Sequence, residues 1–190
     1  LPLSEATIIF QTEYINKAIE LDENNPEPHR IMASYQTWLR NFEAAEYHCR
    51  RAIALNPSNA YIRGRSAAFY VLNHEPERAL QLLAEAEALD PFLPVWCLEE
   101  KGVALFNLGR YEEAIAALNA LAFQTFRSRC YAAACAMALG DWDRARSAAA
   151  DARAISPERS VTELLGLDTY RIPEDAERLR TLLVQAGLPE

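Results

Sequence analysis

Apolar and small residues recur along this chain in two phrases, each closed by polar residues or a residue with special backbone properties. The first phrase ends a helix. Ala52-Ile53-Ala54-Leu55-Asn56-Pro57 returns as Ala86-Glu87-Ala88-Leu89-Asp90-Pro91, with the prolines 34 residues apart. Ala152-Arg153-Ala154-Ile155-Ser156-Pro157 is a third copy, 66 residues after the second. A degenerate copy, Ala18-Ile19-Glu20-Leu21-Asp22, stands 34 residues before the first. The second phrase surrounds a tight turn: Leu39-Arg40-Asn41-Phe42-Glu43-Ala44-Ala45, Leu108-Gly109-Arg110-Tyr111-Glu112-Glu113-Ala114 and Leu139-Gly140-Asp141-Trp142-Asp143-Arg144-Ala145. Two phrases locked to one period predict a repeated unit of helix A, inner turn, helix B and outer turn.

The spacing has a physical basis. Small residues fall where the two helices of a unit must approach: Ala33 with Ala45, Ala67 with Ala79, Gly102 with Ala114, and Ala133 with Ala145. The aromatic after the inner turn (Phe42, Tyr111, Trp142) is expected to plug the gap between neighbouring hairpins. Proline cannot continue a helix and so fixes each outer turn, while Pro76 suits the first position of a helix. The pattern predicts an all-α, right-handed superhelical solenoid forming one domain over 1–190. Its parts are a partial repeat at 4–25, full units at 26–59, 60–94, 95–125 and 126–159, and a capping segment at 160–190. The third unit is irregular, because its outer turn, Leu121-Ala122-Phe123-Gln124-Thr125-Phe126, lacks a proline. The tail reads as the polar cap that a solenoid needs on its last face. The fourth unit carries Arg129, Ala136 and Ala149 where large side chains are usual, and is therefore expected to open more readily than the second. The chain is expected to be a fragment, with Ser4 capping the first helix and Ile8, Ile9 and Phe10 left without a covering helix A.

Composition narrows the function classes. Just over half of the 190 residues (51%) are apolar and the net charge is −8. That balance repels a polyphosphate backbone, so nucleic acid is not an expected ligand. No run approaches the length of a membrane span. Cys49, Cys97, Cys130 and Cys135 form no C-x-x-C pair and read as small buried thiols in a reducing cytoplasm.

These phrases resemble the tetratricopeptide repeat, whose signature is small residues at its eighth, twentieth and twenty-seventh positions and a proline at the thirty-second. A narrower resemblance rests on Asp90-Pro91-Phe92-Leu93-Pro94-Val95-Trp96, on Ala104 to Ile115, and on the ending Ala186-Gly187-Leu188-Pro189-Glu190. Here the chain is similar to the C-terminal tetratricopeptide region of bacterial signalling proteins. In those proteins the region follows a class III adenylate/guanylate cyclase domain or a winged-helix domain. The resemblance implies a non-enzymatic regulatory module; the alternative is a free-standing scaffold for an envelope or secretion complex.

Candidate chemistry gives way to a binding surface. His29, His48 and His74 read as lying in different repeats, none beside a Cys or carboxylate at ligand spacing, so no metal or other cofactor is expected. Adjacent acids such as Glu99-Glu100 diverge on a helix and read as a solvated face. By repeat position, Arg30, Ser34, Tyr61, Arg65, Trp96, Glu100 and Tyr131 line the concave inner face. There they are expected to hold a peptide or a segment of an adjoining domain. A second copy of the chain is a further expected partner, docking through the N-terminal helix. Ser34, Arg65 and Trp96 interrupt the Lys/Asn/Arg clamp that chaperone-tail binders of this repeat family carry.

Overall fold

The computed structural model describes residues 5–190, with side chains from Phe10 onward. These residues form eleven helices: α1 (Glu5–Leu21), α2 (Pro26–Trp38), α3 (Phe42–Leu55), α4 (Ala60–Leu72), α5 (Pro76–Leu89), α6 (Val95–Asn107), α7 (Tyr111–Asn119), α8 (Phe126–Ala138), α9 (Trp142–Ile155), α10 (Val161–Leu167) and α11 (Pro173–Gln185). No strand occurs among them. Ser4 and the side chains of Ile8 and Ile9 lie outside the described residues.

Polar side chains start several of these helices. The side chains of Asn25, Asn59, Thr125, Asp141 and Ser160 each accept a hydrogen bond from a first-turn backbone N–H. Thr125 with Ser128, and Ser160 with Glu163, close reciprocal capping boxes. Each inner turn stops its A helix in the same way. One residue adopts a left-handed backbone: Arg40 (φ 63°), His74 (φ 65°), Gly109 (φ 71°) and Gly140 (φ 78°). The next N–H then reaches back five residues: Asn41 to Gln36, Glu75 to Tyr70, Arg110 to Leu105 and Asp141 to Ala136, at 2.8–3.0 Å. This Schellman closure satisfies carbonyls that would otherwise lose a partner at the helix end.

Helices α2/α3, α4/α5, α6/α7 and α8/α9 pair as hairpins that stack in order. The small residues sit at the crossings: Ala45, Ala67, Ala79, Ala114, Ala133 and Ala145 are wholly buried. At Gly102 a Cβ would come within 2.4 Å of Leu118 Cγ, so a larger residue would push α6 from α7. Phe42 is buried as an inter-hairpin plug, but Trp142 is 50% exposed. The correction has a plain cause. Among the described residues no further hairpin stacks on α9; α11 packs against α8 instead, leaving Trp142 under the Arg146 guanidinium at 5.9 Å.

The C-terminal region does more than cover a last face. Leu179 and Leu183 of α11 are fully buried, and α11 lies on α8. Between α10 and α11, residues 168–172 form a strap that turns tightly at Thr169, where the Tyr170 N–H donates to the Asp168 carbonyl at 3.0 Å, and folds back to the earlier hairpins. Arg171 N–H donates to the Leu72 carbonyl at 2.8 Å, and the Arg40 guanidinium donates to the Tyr170 carbonyl at 2.9 Å.

Candidate peptide-binding groove

Helices α2, α4, α6 and α8 line the inner face, and the strap divides it into an open part and a covered part. In the open part, cations and rings alternate. Arg30 lies over Tyr61 at 5.2 Å. Tyr61 meets Trp96 edge to face at 5.4 Å between centroids, and Arg65 lies over Trp96 at 4.9 Å. Each stacked contact holds a side chain in place before any ligand arrives. Arg30 donates to Glu27 at 2.7 Å, so its charge is already partnered. Arg65 has a single long contact, Nη2 to Ser34 Oγ at 3.5 Å, and no carboxylate within ion-pair distance among the described residues. Its Nε is buried with no acceptor. Beside it lies a cavity of about 150 Å³ lined by Ala33, Thr37, Ala68, Phe69 and Leu72, with Leu167 and Thr169 from the C-terminal region.

The covered part corrects two expected site residues. Glu100 is 8% exposed and Tyr131 is fully buried, so neither faces a partner while the strap is in place. The single Arg127 Nε–H is shared by the two carboxylate oxygens of the strap's Asp168, at 2.9 and 3.0 Å, and Asp168 accepts a further hydrogen bond from Tyr131 Oη at 2.7 Å. Arg127 also donates to Glu99 at 3.3 Å and to both oxygens of Glu100 at 3.1 Å. Tyr170 Oη lies 2.9 Å from Tyr131 Oη and 3.1 Å from Asn107 Oδ1, and its single proton is offered to these two acceptors. Thr125 donates to Glu99. The expected solvated pair Glu99-Glu100 is therefore a buried ligand set for one guanidinium. Burial pushes the Glu100 carboxyl above its ordinary range, with Asp168 and Glu99 adding to the effect and Arg127 opposing it.

Arg127, Asp168 and Tyr170 were not expected at this surface. Arg127 had a signal, because it is the second residue of α8 just as Tyr61 and Trp96 are the second residues of α4 and α6. Asp168 and Tyr170 had none, since they stand in a non-repeating loop. The histidines need a correction too. His29 and His48 belong to one hairpin, whose antiparallel helices bring the two Nδ1 atoms to 2.9 Å. Burial, helped by the nearby Arg51, lowers the pKa of His29; burial and His29 lower that of His48 to about 4. The four cysteines are buried, and burial pushes each thiol up to about 12. A thiol held so firmly protonated is a poor nucleophile.

Known proteins share this architecture. A family model, that of anaphase-promoting complex (cyclosome) subunit 3, matches residues 38–121. No curated protein sequence matches the chain. Among solved structures, PilW, a widely conserved type IV pilus biogenesis factor, superposes with a TM-score of 0.73 at 19% identity, over 92% of this chain and 80% of that one. YrrB, described as a TPR protein with an unusual peptide-binding site, gives 0.58 at 20% identity, over 90% of each chain. PilF of Pseudomonas aeruginosa gives 0.62 at 20% identity, over 87% of this chain and 78% of that one. The fold is that of a tetratricopeptide-repeat solenoid. Within this solenoid the open groove over α2, α4 and α6 is the part of the inner face left accessible by the strap.

Proposed function

We propose that the chain is a non-enzymatic interaction module that holds a peptide, or a segment of a neighbouring domain, in the open part of its concave groove. The observation that carries this reading is the ladder of Arg30, Tyr61, Trp96 and Arg65. Its rings and cations are held by one another, yet Tyr61 remains 43% exposed and Arg65 lacks an acid. Tyr, Trp and Arg are the residues most often found at the energetic centre of an interface, and groups already ordered lose little entropy on binding. The resemblance in the repeat turns and the C-terminal ending supports a regulatory module of a bacterial signalling protein. The likeness in fold to PilW and PilF supports a second reading, a scaffold in the assembly of an envelope or pilus complex.

A photo-crosslinking residue placed at Tyr61, and separately at Tyr47 on the exposed face of α3, tests the site. Capture from position 61 is expected, and the identity of the captured chain decides between the two readings. Trp96→Ala and Arg65→Ala should each weaken that partner by about 1–3 kcal/mol while far-UV circular dichroism is unchanged. Capture from position 47 alone, or full affinity in both variants, overturns the proposal.

A further inference from the structure

The inner face contains two arginines in contrasting states. Arg127 is saturated: the strap crosses the groove, lays the Asp168 carboxylate on its Nε, and two residues later buries the Tyr170 ring. Arg65, on the open part of the same face, has none of this. Trp96 fixes its guanidinium plane, its Nε is buried without an acceptor, and no carboxylate pairs with it among the described residues. A buried donor left unsatisfied costs free energy that an incoming acceptor recovers, and a carboxylate is the acceptor a guanidinium fork fits best. The cavity beside Arg65, about 150 Å³, is walled by Ala33, Ala68, Phe69 and Leu72 with the polar Ser34 and Thr37, and is bounded on one side by Leu167 at the end of α10 and Thr169 of the strap. An apolar cavity of roughly that size accepts a group as large as benzene.

We infer that the open groove recognises an extended partner segment bearing an acidic side chain, which pairs with Arg65, and an aromatic or branched aliphatic side chain nearby, which fills the cavity between α2, α4 and the strap. The strap at Arg127 is the chain's internal example of the same grip, a carboxylate and then a ring two residues on. This inference rests on the concave-face reading above and specifies its ligand. The aromatic ladder supplies a stacking wall beyond Arg65, and Arg30, neutralised by Glu27, leaves Arg65 as the unpaired cation of that ladder. The wall contributed by Leu167 of α10 and Thr169 of the strap makes the pocket depend on the C-terminal region as well as on the first two hairpins.

The test uses fluorescein-labelled decapeptides, acetylated and amidated, built on an Asp-x-Phe core in an otherwise Gly/Ser sequence, and fluorescence anisotropy with the whole chain. Replacing Asp by Asn in the peptide, or Arg65→Gln in the protein, is expected to weaken binding at least ten-fold. Arg65→Lys should recover part of the loss. Ala68→Leu, which fills the cavity, should remove the preference for Phe over Ser and leave the Asp-over-Asn preference. Circular dichroism checks that each variant keeps its helicity. Equal binding of the Asn peptide overturns the inference, as does Arg65→Gln without effect. Tighter binding of a peptide whose only carboxylate is its free C-terminus overturns the choice of an acidic side chain. A crosslinked partner at Tyr61 that is indifferent to Arg65→Gln leaves the concave-face reading standing and removes only this one.

Discussion

At the scale of single residues, His29 and His48 hold one proton between two Nδ1 atoms 2.9 Å apart, one ring donating and the other accepting. A second proton would set two N–H groups against each other. Both pKa values are lowered on folding, that of His48 to about 4 from an ordinary 6.5. The unfolded chain therefore binds more protons in that window, and stability falls as pH drops from about 6.5 towards 4. Glu100 works the other way. Its raised pKa means the folded state takes up a proton first, so this group contributes less as pH rises above its ordinary value. The difference between wild type and His48→Gln isolates the histidine effect. We expect wild type to lose more melting temperature than His48→Gln between pH 7 and pH 5. Equal losses would show that the pair is not coupled to folding. The left-handed residues show a second local pattern. Gly109 and Gly140 adopt positive φ without steric cost, whereas Arg40 and His74 carry a Cβ there. Those two side chains reach the C-terminal region, Arg40 at the Tyr170 carbonyl and His74 at Asp175 Oδ2. The strain is kept where the side chain makes a long-range contact.

At the scale of elements, the repeat was legible because its causes are local. A proline, a small residue at a crossing and a residue able to turn left-handed each act within one unit, so their 34-residue recurrence could be read directly. The burial of α8 was not legible. Its small residues, Ala132, Ala133, Ala134, Cys135 and Ala136, suggest a thinly packed helix when only α9 is considered. They also let α11 and Tyr170 approach from the other side, so α8 is buried nearly all round. A helix enclosed on every face belongs to a core rather than to an end. The expected weakness of the fourth unit is thus offset by a cover that comes from beyond the repeats. Native-state amide exchange should find α8 protected to about the level of α4, and deletion of 161–190 should make α8 the faster of the two. Fast exchange of α8 in the intact chain would mean that α11 and the strap do not hold it.

At the scale of the whole molecule, the strap changes what kind of object the solenoid is. A plain repeat array has contacts only between neighbours, and its units can unfold in sequence. Here Arg127 and Asp168 join positions 41 apart, and Arg40 and Tyr170 join positions 130 apart. Arg171 reaches further elements at once: it donates to Asn73 Oδ1 at 3.1 Å and Glu43 Oε1 at 2.7 Å, and lies over Phe42 at 5.6 Å. None of these pairings has a period, which is why the cover over Glu100 and Tyr131 was invisible in the sequence although their place on the inner face was not. Breaking the network at its hub leaves Glu99, Glu100 and Asp168 buried without their cation, a loss of about 3–5 kcal/mol for a buried pair deprived of one partner. Arg127→Met should therefore destabilise the chain by that order at pH 7, and less at lower pH, because burial already raises the Glu100 carboxyl and lets it take up a proton. It should also loosen the tie between distant hairpins. Urea unfolding followed by far-UV circular dichroism and by tryptophan fluorescence should give coincident curves for wild type, because Trp38, Trp96 and Trp142 report from α2, α6 and α9. In Arg127→Met, and in Arg171→Ala, which cuts the strap's ties to Asn73 and Glu43, the two curves should separate and the slope of each should fall. Coincident, equally steep curves in both variants would mean that the strap covers the groove without coupling the repeats.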